Sequence, residues 1–404
     1  MKKDNLKCLV MISRYPPQPG GSQNYVHELI SPLHGLGFDI TVHTGWWPGS
    51  EKVDSKRHFP VIRSRIWGFL NRMSATRIRP LVILSILFHF IYSSFRTIIG
   101  NYDVIICGSL LSAGSGALVR RLFRKTPYIL IIYGEEIKWL LKSWKYRRLI
   151  NTVLEKSSQI IVISNFTREL LLSLSGCEEE KIHLIPPALK KEFLKKIPEI
   201  EAREEIGMHD KPVLLSVGRP EPRKGTLKLI EAFASVVKHY PDAGLYIVGK
   251  GPDLEKCGNL AQKLGIEKNV IFTGYVPDEK LKYYFAACDL FVLPNQNLPH
   301  DVEGFGIVFL EAASQEKPVI GGRSGGVTDA VIDGETGLLL EKVTPDNIAS
   351  AILSLLNDPD KMKRMGKKGR QRVLKEYYPE KRKAKLRDIL MKAGNVFKDG
   401  NSGS

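Results

Sequence analysis

Two glutamates eight residues apart bracket a glycine-containing segment and have the chemistry to hold a ligand rich in hydroxyl groups. Glu303 follows an apolar run in a loop, and Glu311 lies in the helix that Gly306 opens. Unpaired N–H groups at a helix start favour an anion such as a diphosphate. Eight helical residues rise about 12 Å, which is the length of a nucleotide sugar. One carboxylate would then bind sugar hydroxyls and the other a ribose, although two glutamates alone are more often solvated.

Positive charges after a second apolar run support this interpretation. The run 212–217 ends at Gly218 and Arg219, and Lys224 follows just before a predicted helix. Cations at the carboxyl end of a strand would neutralise a leaving diphosphate.

Glycines after two further strands allow a ligand to approach the backbone. Gly249 ends the run 245–248, and Gly20-Gly21 separates the first strand from the first helix. Such glycines can close over a phosphate, but a plain turn explains them equally well.

The elements that must position these residues form two βα arrays. Continuous apolar runs that alternate with helical stretches indicate parallel sheets covered on both faces. The predicted strands are 7–12, 38–44, 103–107, 128–133, 159–164 and 182–185, then 212–217, 245–248, 270–272, 290–293 and 318–320. We therefore expect an α/β protein of two doubly wound Rossmann-like domains, with the ligand in a cleft at the carboxyl ends of the strands.

The domain boundaries follow from these arrays. We place the first domain at 1–187, a linker at 188–210, the second domain at 211–375 and a tail at 396–404. The last helix, near 376–395, could pack back on the first domain.

Positive charge is concentrated in the first half of a chain whose net charge is +17. Basic clusters lie at 56–79, 120–125 and 138–148, and Trp139 and Trp144 fall within the third. A solvated face explains any single cluster, but all three together favour an anionic membrane surface over nucleic acid.

The expected cellular location of the protein rests on its cysteines and on the hydropathy of one segment. Five scattered cysteines without C-x-x-C spacing predict reduced thiols in the cytoplasm. The uncharged segment 80–95 is shorter than the roughly 20 residues that span a bilayer. We interpret it as a buried or interfacial helix and expect a peripheral protein on the inner face of the membrane.

We expect no required metal or cofactor. The one D-x-D motif, Asp358 to Asp360, has the position of a helix cap, and the histidines lack metal-binding spacing. The absence of a P-loop lysine and of a G-x-S-x-G motif disfavours an NTPase or serine hydrolase.

Taken together, the motifs resemble family 4 of the retaining GT-B glycosyltransferases over most of the chain. They are 16–21, V-G-R-x4-K-G at 217–225, V-G-x-G-P at 248–252, F-T-G-Y-V at 272–276, D-V-E-G-F-G-I-V-F-L-E at 301–311 and S-G-G-V-x-D-A-V-x-D-G-x-T-G at 324–337. The segments around D-V-E-G-x-G-I-V and R-K-G are most similar to those of bacterial phosphatidylinositol-mannoside mannosyltransferases.

The resemblance implies a role for each candidate residue. Arg219 and Lys224 would neutralise the diphosphate, and Glu303 would bind the donor sugar. Glu311 would bind the ribose, and Tyr275 and Val276 would meet the base. The remaining donor-binding residues would be Gly20, Gly21, Gly218, Gly249, Gly304, Phe305, Gly306 and Ile307. The resemblance also implies retention at the anomeric carbon, with the leaving phosphate accepting the acceptor's proton.

One position departs from the family pattern. Many members have His-Gly after the fourth strand of the first domain, where the histidine contacts the donor sugar, whereas this chain has Tyr133-Gly134. Tyrosine donates a hydrogen bond but is not a cation. Tyr133 is therefore either a sugar contact or buried packing.

The expected reaction is transfer of a hexose, mannose from GDP-mannose by resemblance, to a lipid-linked or saccharide acceptor. One alternative is a UDP-sugar-dependent glycosyltransferase of polysaccharide synthesis. Another is a non-catalytic protein of the same fold that binds nucleotides or polyanions. An epimerase or phosphorylase shares the architecture, but no local sequence indicates the pyridoxal lysine of a phosphorylase.

Overall fold

The chain folds into two compact units, which are described separately. The computed structural model describes residues 5–18, 20–74, 79–134, 136–137, 144–208, 212–299 and 301–401. Unit 1 comprises Met1–Pro186 and Glu380–Ser404, and unit 2 comprises Pro187–Pro379. Both are α/β units built on a parallel sheet.

Unit 1 contains a seven-stranded sheet in the order β3-β2-β1-β4-β5-β6-β7. Its strands are β1 Leu6–Met11, β2 Phe38–Gly45, β3 Val61–Ser64, β4 Val104–Cys107, β5 Tyr128–Ile132, β6 Gln159–Val162 and β7 Ile182–Leu184. All pairings are parallel; Cys8, for example, is in register with Ile40 on one side and Val104 on the other. Because both faces are covered, the central strands consist mainly of apolar residues, with Lys7 of β1 as an exposed exception.

Helices connect the strands of unit 1. They are α1 Gly21–Ile30, α2 Ser50–Asp54, α3 Arg65–Ser74, α4 Arg79–Ile99, α5 Ser115–Arg124, α6 Trp144–Lys156 and α7 Asn165–Leu174. Single turns of other helix types lie at Ser31–Leu33, Leu110–Gly114 and Glu179–Lys181.

Unit 2 contains a six-stranded parallel sheet in the order β10-β9-β8-β11-β12-β13. Its strands are β8 Val213–Val217, β9 Gly244–Val248, β10 Val270–Gly274, β11 Leu290–Leu293, β12 Val319–Gly322 and β13 Gly337–Leu340. The chain moves outward from β8 to β10 and then returns to β11 on the other side of β8. The order reverses between β8 and β11, and ligands of such sheets bind where the order reverses.

The helices of unit 2 cover both faces of that sheet. They are α8 Lys191–Leu194, α9 Glu199–Ile206, α10 Thr226–His239, α11 Leu254–Lys263, α12 Asp278–Ala287, α13 Ile307–Ser314, α14 Val327–Ala330, α15 Pro345–Leu356 and α16 Pro359–Glu376. The last helix of the chain is α17 Pro379–Asn401.

One predicted boundary differs from the structure, whereas the last helix lies in the first unit, as the sequence analysis allowed. Residues 188–208 are not an extended linker: they include α8 and α9, which are anchored to unit 2. The side-chain amide of Gln315 donates to the carbonyls of Phe193 (3.0 Å) and Lys195 (3.1 Å). From Glu380 onward α17 belongs to unit 1, where the Arg382 guanidinium lies 5.5 Å from the centre of the Tyr25 ring.

The segment 80–95 forms most of α4. Among the residues that the structure describes, no helix combines the length and apolar character needed to cross a membrane. His89 and Ser93 on α4 are buried, whereas Leu87, Ile91 and Phe95 are exposed. The helix therefore has one packed face and one apolar face on the surface.

Candidate active site

The loops after β8 and β11 bring two cations to the carboxylate of Glu303. Oε2 of Glu303 accepts hydrogen bonds from Arg223 Nη1 (2.5 Å), Lys224 Nζ (2.5 Å) and Asn295 Nδ2 (2.8 Å). Arg223 and Lys224 lie in a 3₁₀ turn after β8, and Asn295 and Glu303 follow β11. Because β8 and β11 are neighbours, their carboxyl ends deliver residues 80 positions apart to one place.

The surrounding charges keep Glu303 ionised. Burial alone disfavours a charged carboxyl group, and the side chain is only 13% exposed. The positive charges of Lys224 and Arg223 outweigh that effect and hold the pKa of Glu303 below its ordinary value. The site therefore contains a fixed carboxylate with one oxygen, Oε2, saturated by donors.

Arg223 belongs to a wider cluster of ion pairs. Its guanidinium also contacts Glu221 at 2.9 Å and Asp301 at 2.7 Å. Arg219, which was expected to act with Lys224, is exposed and makes no ion pair or hydrogen bond with any residue that the structure describes. Its charge remains available to a ligand, whereas those of Arg223 and Lys224 already have carboxylate partners.

The segment from Gly304 to Ile307 opens α13, as predicted. The N-cap residue, Gly306, provides no side-chain cap, and no acidic residue lies in the first turn. Glu303 lies before the helix, so only part of the separation between Glu303 and Glu311 is helical. The estimate of about 12 Å for that separation was therefore wrong in its geometry.

A glycine pair braces the loop that carries Glu303. The Gly326 N–H donates to the Glu303 carbonyl at 2.8 Å. Gly325 has φ of 50°, and a Cβ on it would lie 2.1 Å from the same carbonyl oxygen. Only glycine permits this approach, which explains the S-G-G sequence at Ser324.

The other predicted donor-binding residues of unit 2 lie at the same edge of the sheet. Gly218, Gly249 and Tyr275 follow β8, β9 and β10. Gly218 and Gly249 pack backbone to backbone, since a Cβ on Gly249 would lie 2.0 Å from the Gly218 carbonyl oxygen. Tyr275 is 68% exposed, Val276 is partly buried, and Glu311 is half-buried in α13.

In unit 1 the candidate residues follow β1 and β5. Gly20 is the N-cap of α1 and Gly21 its first residue. Tyr133 follows β5, with its ring packed edge-to-face on Tyr25 at 6.2 Å between centroids. Burial raises the pKa of Tyr133 well above its usual value, so its hydroxyl stays protonated. That hydroxyl is buried without a hydrogen-bond partner among the described residues.

The sequence analysis assigned no role to Arg223 or Asn295. Arg223 was visible in the R-K-G motif, but its neighbour Lys224 received the role. Asn295 is the second residue after β11 and is 1% exposed, and its Oδ1 has no partner within the described part of the chain. A polar residue so soon after a buried strand was the available signal.

In the first basic cluster, 56–79, fewer positive side chains are exposed than the sequence analysis expected. Arg57 and Arg63 have side chains that are 7% and 6% exposed, and both pair with Asp54. They therefore do not face an anionic surface. Lys138 and Trp139 lie outside the described residues.

The remaining titratable groups fit structural roles. Asp358 caps α16 by accepting from the Lys361 N–H at 2.9 Å, as predicted for the D-x-D motif. All five cysteines are free. Within the described ranges, no group of three or more His, Cys, Asp or Glu side chains could hold a metal ion. Whether the reaction requires a metal stays a prediction.

Comparisons with known proteins agree with this architecture. The family model "Glycosyl transferases group 1" matches residues 198–372, and "Glycosyltransferase Family 4" matches 19–193. The crystal structure of Anabaena HepE in complex with UDP and glucose has a TM-score of 0.75 at 19% identity, covering 96% of this chain and 100% of that one. This likeness confirms the expected GT-B fold.

Full-length relatives are closer in sequence. A GDP-mannose-dependent alpha-(1-6)-phosphatidylinositol monomannoside mannosyltransferase of Mycolicibacterium smegmatis is 31% identical over 391 residues, covering 95% of this chain and 97% of the relative. The protein of the same name from Mycobacterium tuberculosis is 28% identical, covering 95% and 98%. The chain therefore belongs to glycosyltransferase family 4 and is a transferase enzyme.

Proposed function

We propose that the protein transfers mannose from GDP-mannose to a lipid-linked glycan acceptor of the phosphatidylinositol-mannoside type, with retention at the anomeric carbon. The observation that carries the proposal is the Glu303 carboxylate, held by Arg223, Lys224 and Asn295 where the sheet order reverses. The donor and acceptor are inferred from full-length relatives that are named for this reaction.

The contacts suggest how the donor sugar binds. All three donors converge on Oε2 of Glu303, and no hydrogen bond to Oε1 is recorded from the described residues. Oε1 is therefore available to accept from a sugar hydroxyl. The amides of Gly304 to Ile307, at the uncapped start of α13, would bind the same sugar or its phosphate.

Positive charge for the leaving group comes from Arg219 and Lys224. The Lys224 side chain passes over Gly218, where a Cβ would lie 3.5 Å from its Cε. A diphosphate that approached the Gly218 backbone would meet both cations. No side chain is then needed as a base, because the leaving phosphate accepts the acceptor's proton. We also propose that no metal is required.

Calorimetric titration with GDP, UDP and ADP, with EDTA present, tests the donor assignment. We expect one-to-one binding with a preference for GDP, and transfer of labelled mannose to phosphatidylinositol mannoside in the same buffer. Preference for UDP would move the assignment to a UDP-sugar-dependent transferase. Absence of binding to all three, with and without magnesium, would favour a non-catalytic protein.

An apolar stripe on α4 supports action at a membrane surface. Its members recur every three or four residues and so share one face, rising about 21 Å along the helix. They are Leu84, Leu87, Ile91, Phe95 and Ile98, each at least 37% exposed. Exposed Ile66 and Phe69 on α3 and Leu122 on α5 add to the apolar surface of unit 1. We therefore propose peripheral binding to the anionic inner face of the cell membrane.

Liposome sedimentation tests the membrane proposal. Because the stripe would insert among acyl chains, Ile91→Ser with Phe95→Ser should reduce binding to anionic vesicles at least fivefold. Ile200→Ser in α9 is the matched control, since Ile200 is also exposed, at 75%, but lies in unit 2. Equal binding of the double variant and the wild type would contradict a role for α4.

A further inference from the structure

Two arginines from outside the loop between β1 and α1 hold that loop in place. Arg63, in β3, donates from Nη2 to the carbonyl of Pro16 at 2.6 Å. Arg57, just after α2, donates from Nη2 to the same carbonyl at 3.2 Å. Pro16 and Pro17 have no backbone N–H, so this part of the loop can be anchored only through its carbonyl groups and side chains.

One carboxylate orients both guanidinium groups. Asp54 accepts from Arg63 Nε at 2.5 Å and Nη2 at 3.0 Å, and from Arg57 Nε at 3.1 Å. The two arginine side chains are almost completely buried, so the charges need these partners. The planar fork of arginine matches this arrangement, whereas a lysine provides a single point of contact.

The same network reaches α1. The ring of Tyr15, fully buried, lies 4.9 Å beneath the Arg57 guanidinium, and its hydroxyl is 2.8 Å from His27 Nδ1. Arg57 Nη1 lies 2.8 Å from the same nitrogen. It also lies 3.1 Å from Nε2 of the same ring, so the guanidinium contacts both ring nitrogens of His27. Contacts to the α2–β3 segment and to the first helix therefore both hold the loop in place.

We propose that Arg57 and Arg63 are positioning residues for sugar transfer. By fixing Pro16 they fix the backbone that leads to Gly20 and Gly21, which the family resemblance assigns to donor binding and which would face the donor's phosphates. α1 has no side-chain cap and no acidic residue in its first turn, so these amides are not capped by protein side chains. The inference rests on the proposed function, and it gives the two arginines a role in turnover instead of membrane binding.

Arg63→Lys tests the inference because lysine keeps the positive charge but lacks the planar guanidinium that donates to both Asp54 and the Pro16 carbonyl. We expect kcat to fall more than tenfold while the Kd for GDP rises by a smaller factor, because only the phosphate contacts of GDP involve the loop and its ribose and base contacts are assigned to unit 2. Arg168→Lys is the matched control: Arg168 also pairs with a carboxylate of unit 1, Glu179, and lies away from the loop. Unchanged kcat in Arg63→Lys would overturn the inference.

A double-mutant cycle with Gly20→Ala separates positioning from general destabilisation. Gly20 has φ of 154°, which residues with a Cβ rarely adopt, so Gly20→Ala displaces the loop end directly. If Arg63 acts through the loop, Arg63→Lys should lower kcat less than threefold further in the Gly20→Ala background. A full tenfold further loss would contradict action through the loop.

Hydrogen exchange distinguishes this inference from the proposed function. In Arg63→Lys, amides of residues 18 and 21–24 should exchange at least tenfold faster, while those of α7 stay unchanged. If the wild type neither binds a nucleotide nor transfers sugar, the proposed function fails, and faster exchange still shows that Arg63 holds the loop. If Arg63→Lys does not fold, Arg57→Lys and Asp54→Asn test the same anchoring of the loop. Unaltered hydrogen exchange in both variants would refute the inference.

Discussion

Replacing Glu303 by glutamine removes one of the negative charges of the candidate site and keeps the size and shape of the side chain. Glu303 is the shared partner of Arg223 and Lys224. After the replacement, Arg223 keeps Glu221 and Asp301, whereas no other ion pair of Lys224 is recorded with a described residue. The main consequence for folding is therefore a lysine, 12% exposed, without a counter-ion.

The loss of stability can be bounded from these contacts. Removing one partner of a buried ion pair destabilises by about 3–5 kcal/mol. The glutamine oxygen still accepts hydrogen bonds and Lys224 is partly hydrated, which reduces the expected loss to about 2 kcal/mol. In a unit of this size that lowers Tm by about 4–8 °C. Glu231→Gln, at an exposed position of α10, is the control and should leave Tm unchanged.

The expected loss of activity is larger than the loss of stability. Removing one preorganised electrostatic contact from an active site typically lowers kcat by about 10²–10³. We expect a loss of this size in Glu303→Gln at 25 °C, where the variant remains folded. Mannosyl transfer and thermal unfolding would be measured on the same samples. Turnover within threefold of the wild type would refute the assignment of Glu303.

The same variant gives a pH test. The pKa of Glu303 is lowered from its ordinary 4.5, because the charges of Lys224 and Arg223 outweigh burial. A carboxyl group whose pKa is lower in the folded state stabilises the protein above its unfolded pKa and stops doing so as pH falls through the folded one. The stability difference between wild type and Glu303→Gln should be constant above pH 5 and shrink below 4.5. A constant difference down to pH 3 would contradict the pairing.

Three further changes test the surroundings of the site. Asn295→Ala removes a hydrogen bond to the ionised Glu303, worth about 1.5–3 kcal/mol, and should lower kcat/KM about tenfold or more without changing the Kd for GDP; equal kcat/KM would exclude a positioning role. Gly249→Ala would place a Cβ 2.0 Å from the Gly218 carbonyl oxygen, so Tm and nucleotide binding should both fall, measured by calorimetry. Tyr133→Phe removes a buried hydroxyl without a recorded partner, so Tm should stay equal or rise. If that hydroxyl contacts the donor sugar, kcat/KM should fall about tenfold in steady-state assays, and unchanged kcat/KM would assign Tyr133 to packing.

The central strands of both sheets were predictable because a strand buried on both faces appears in the sequence as a run of apolar residues. Of the four edge strands, β7 and β10 were predicted, whereas β3 and β13 were not. β3 has the sequence V-I-R-S and no fully buried residue, and β13 begins with glycine. At the edge of a sheet, burial no longer distinguishes a strand from a loop. An edge strand was therefore predicted only where it kept an apolar run, as in β7 and β10.

Side-chain pairing across the sheet was the other limit. Glycine-rich motifs placed Glu303 and Lys224 after their strands, which is information local in sequence. The binding of Arg223 to Glu303, and the burial of Arg63 by Asp54, depend on which strands are neighbours. An arginine in a basic run is indistinguishable from its solvated neighbours until that pairing is known, which is why Arg57 and Arg63 were assigned to the surface.

The three-carboxylate cluster around Arg223 and Lys224 has a consequence for how an anion enters. Glu221, Asp301 and Glu303 already neutralise these two cations. A diphosphate that binds at Lys224 therefore meets a cation already paired with a carboxylate, so few solution counter-ions are released there. Arg219, in contrast, has no carboxylate partner among the described residues, so binding of the diphosphate to Arg219 should release solution counter-ions. The affinity for the nucleotide should therefore depend only weakly on ionic strength, and most of that dependence should disappear with the charge of Arg219.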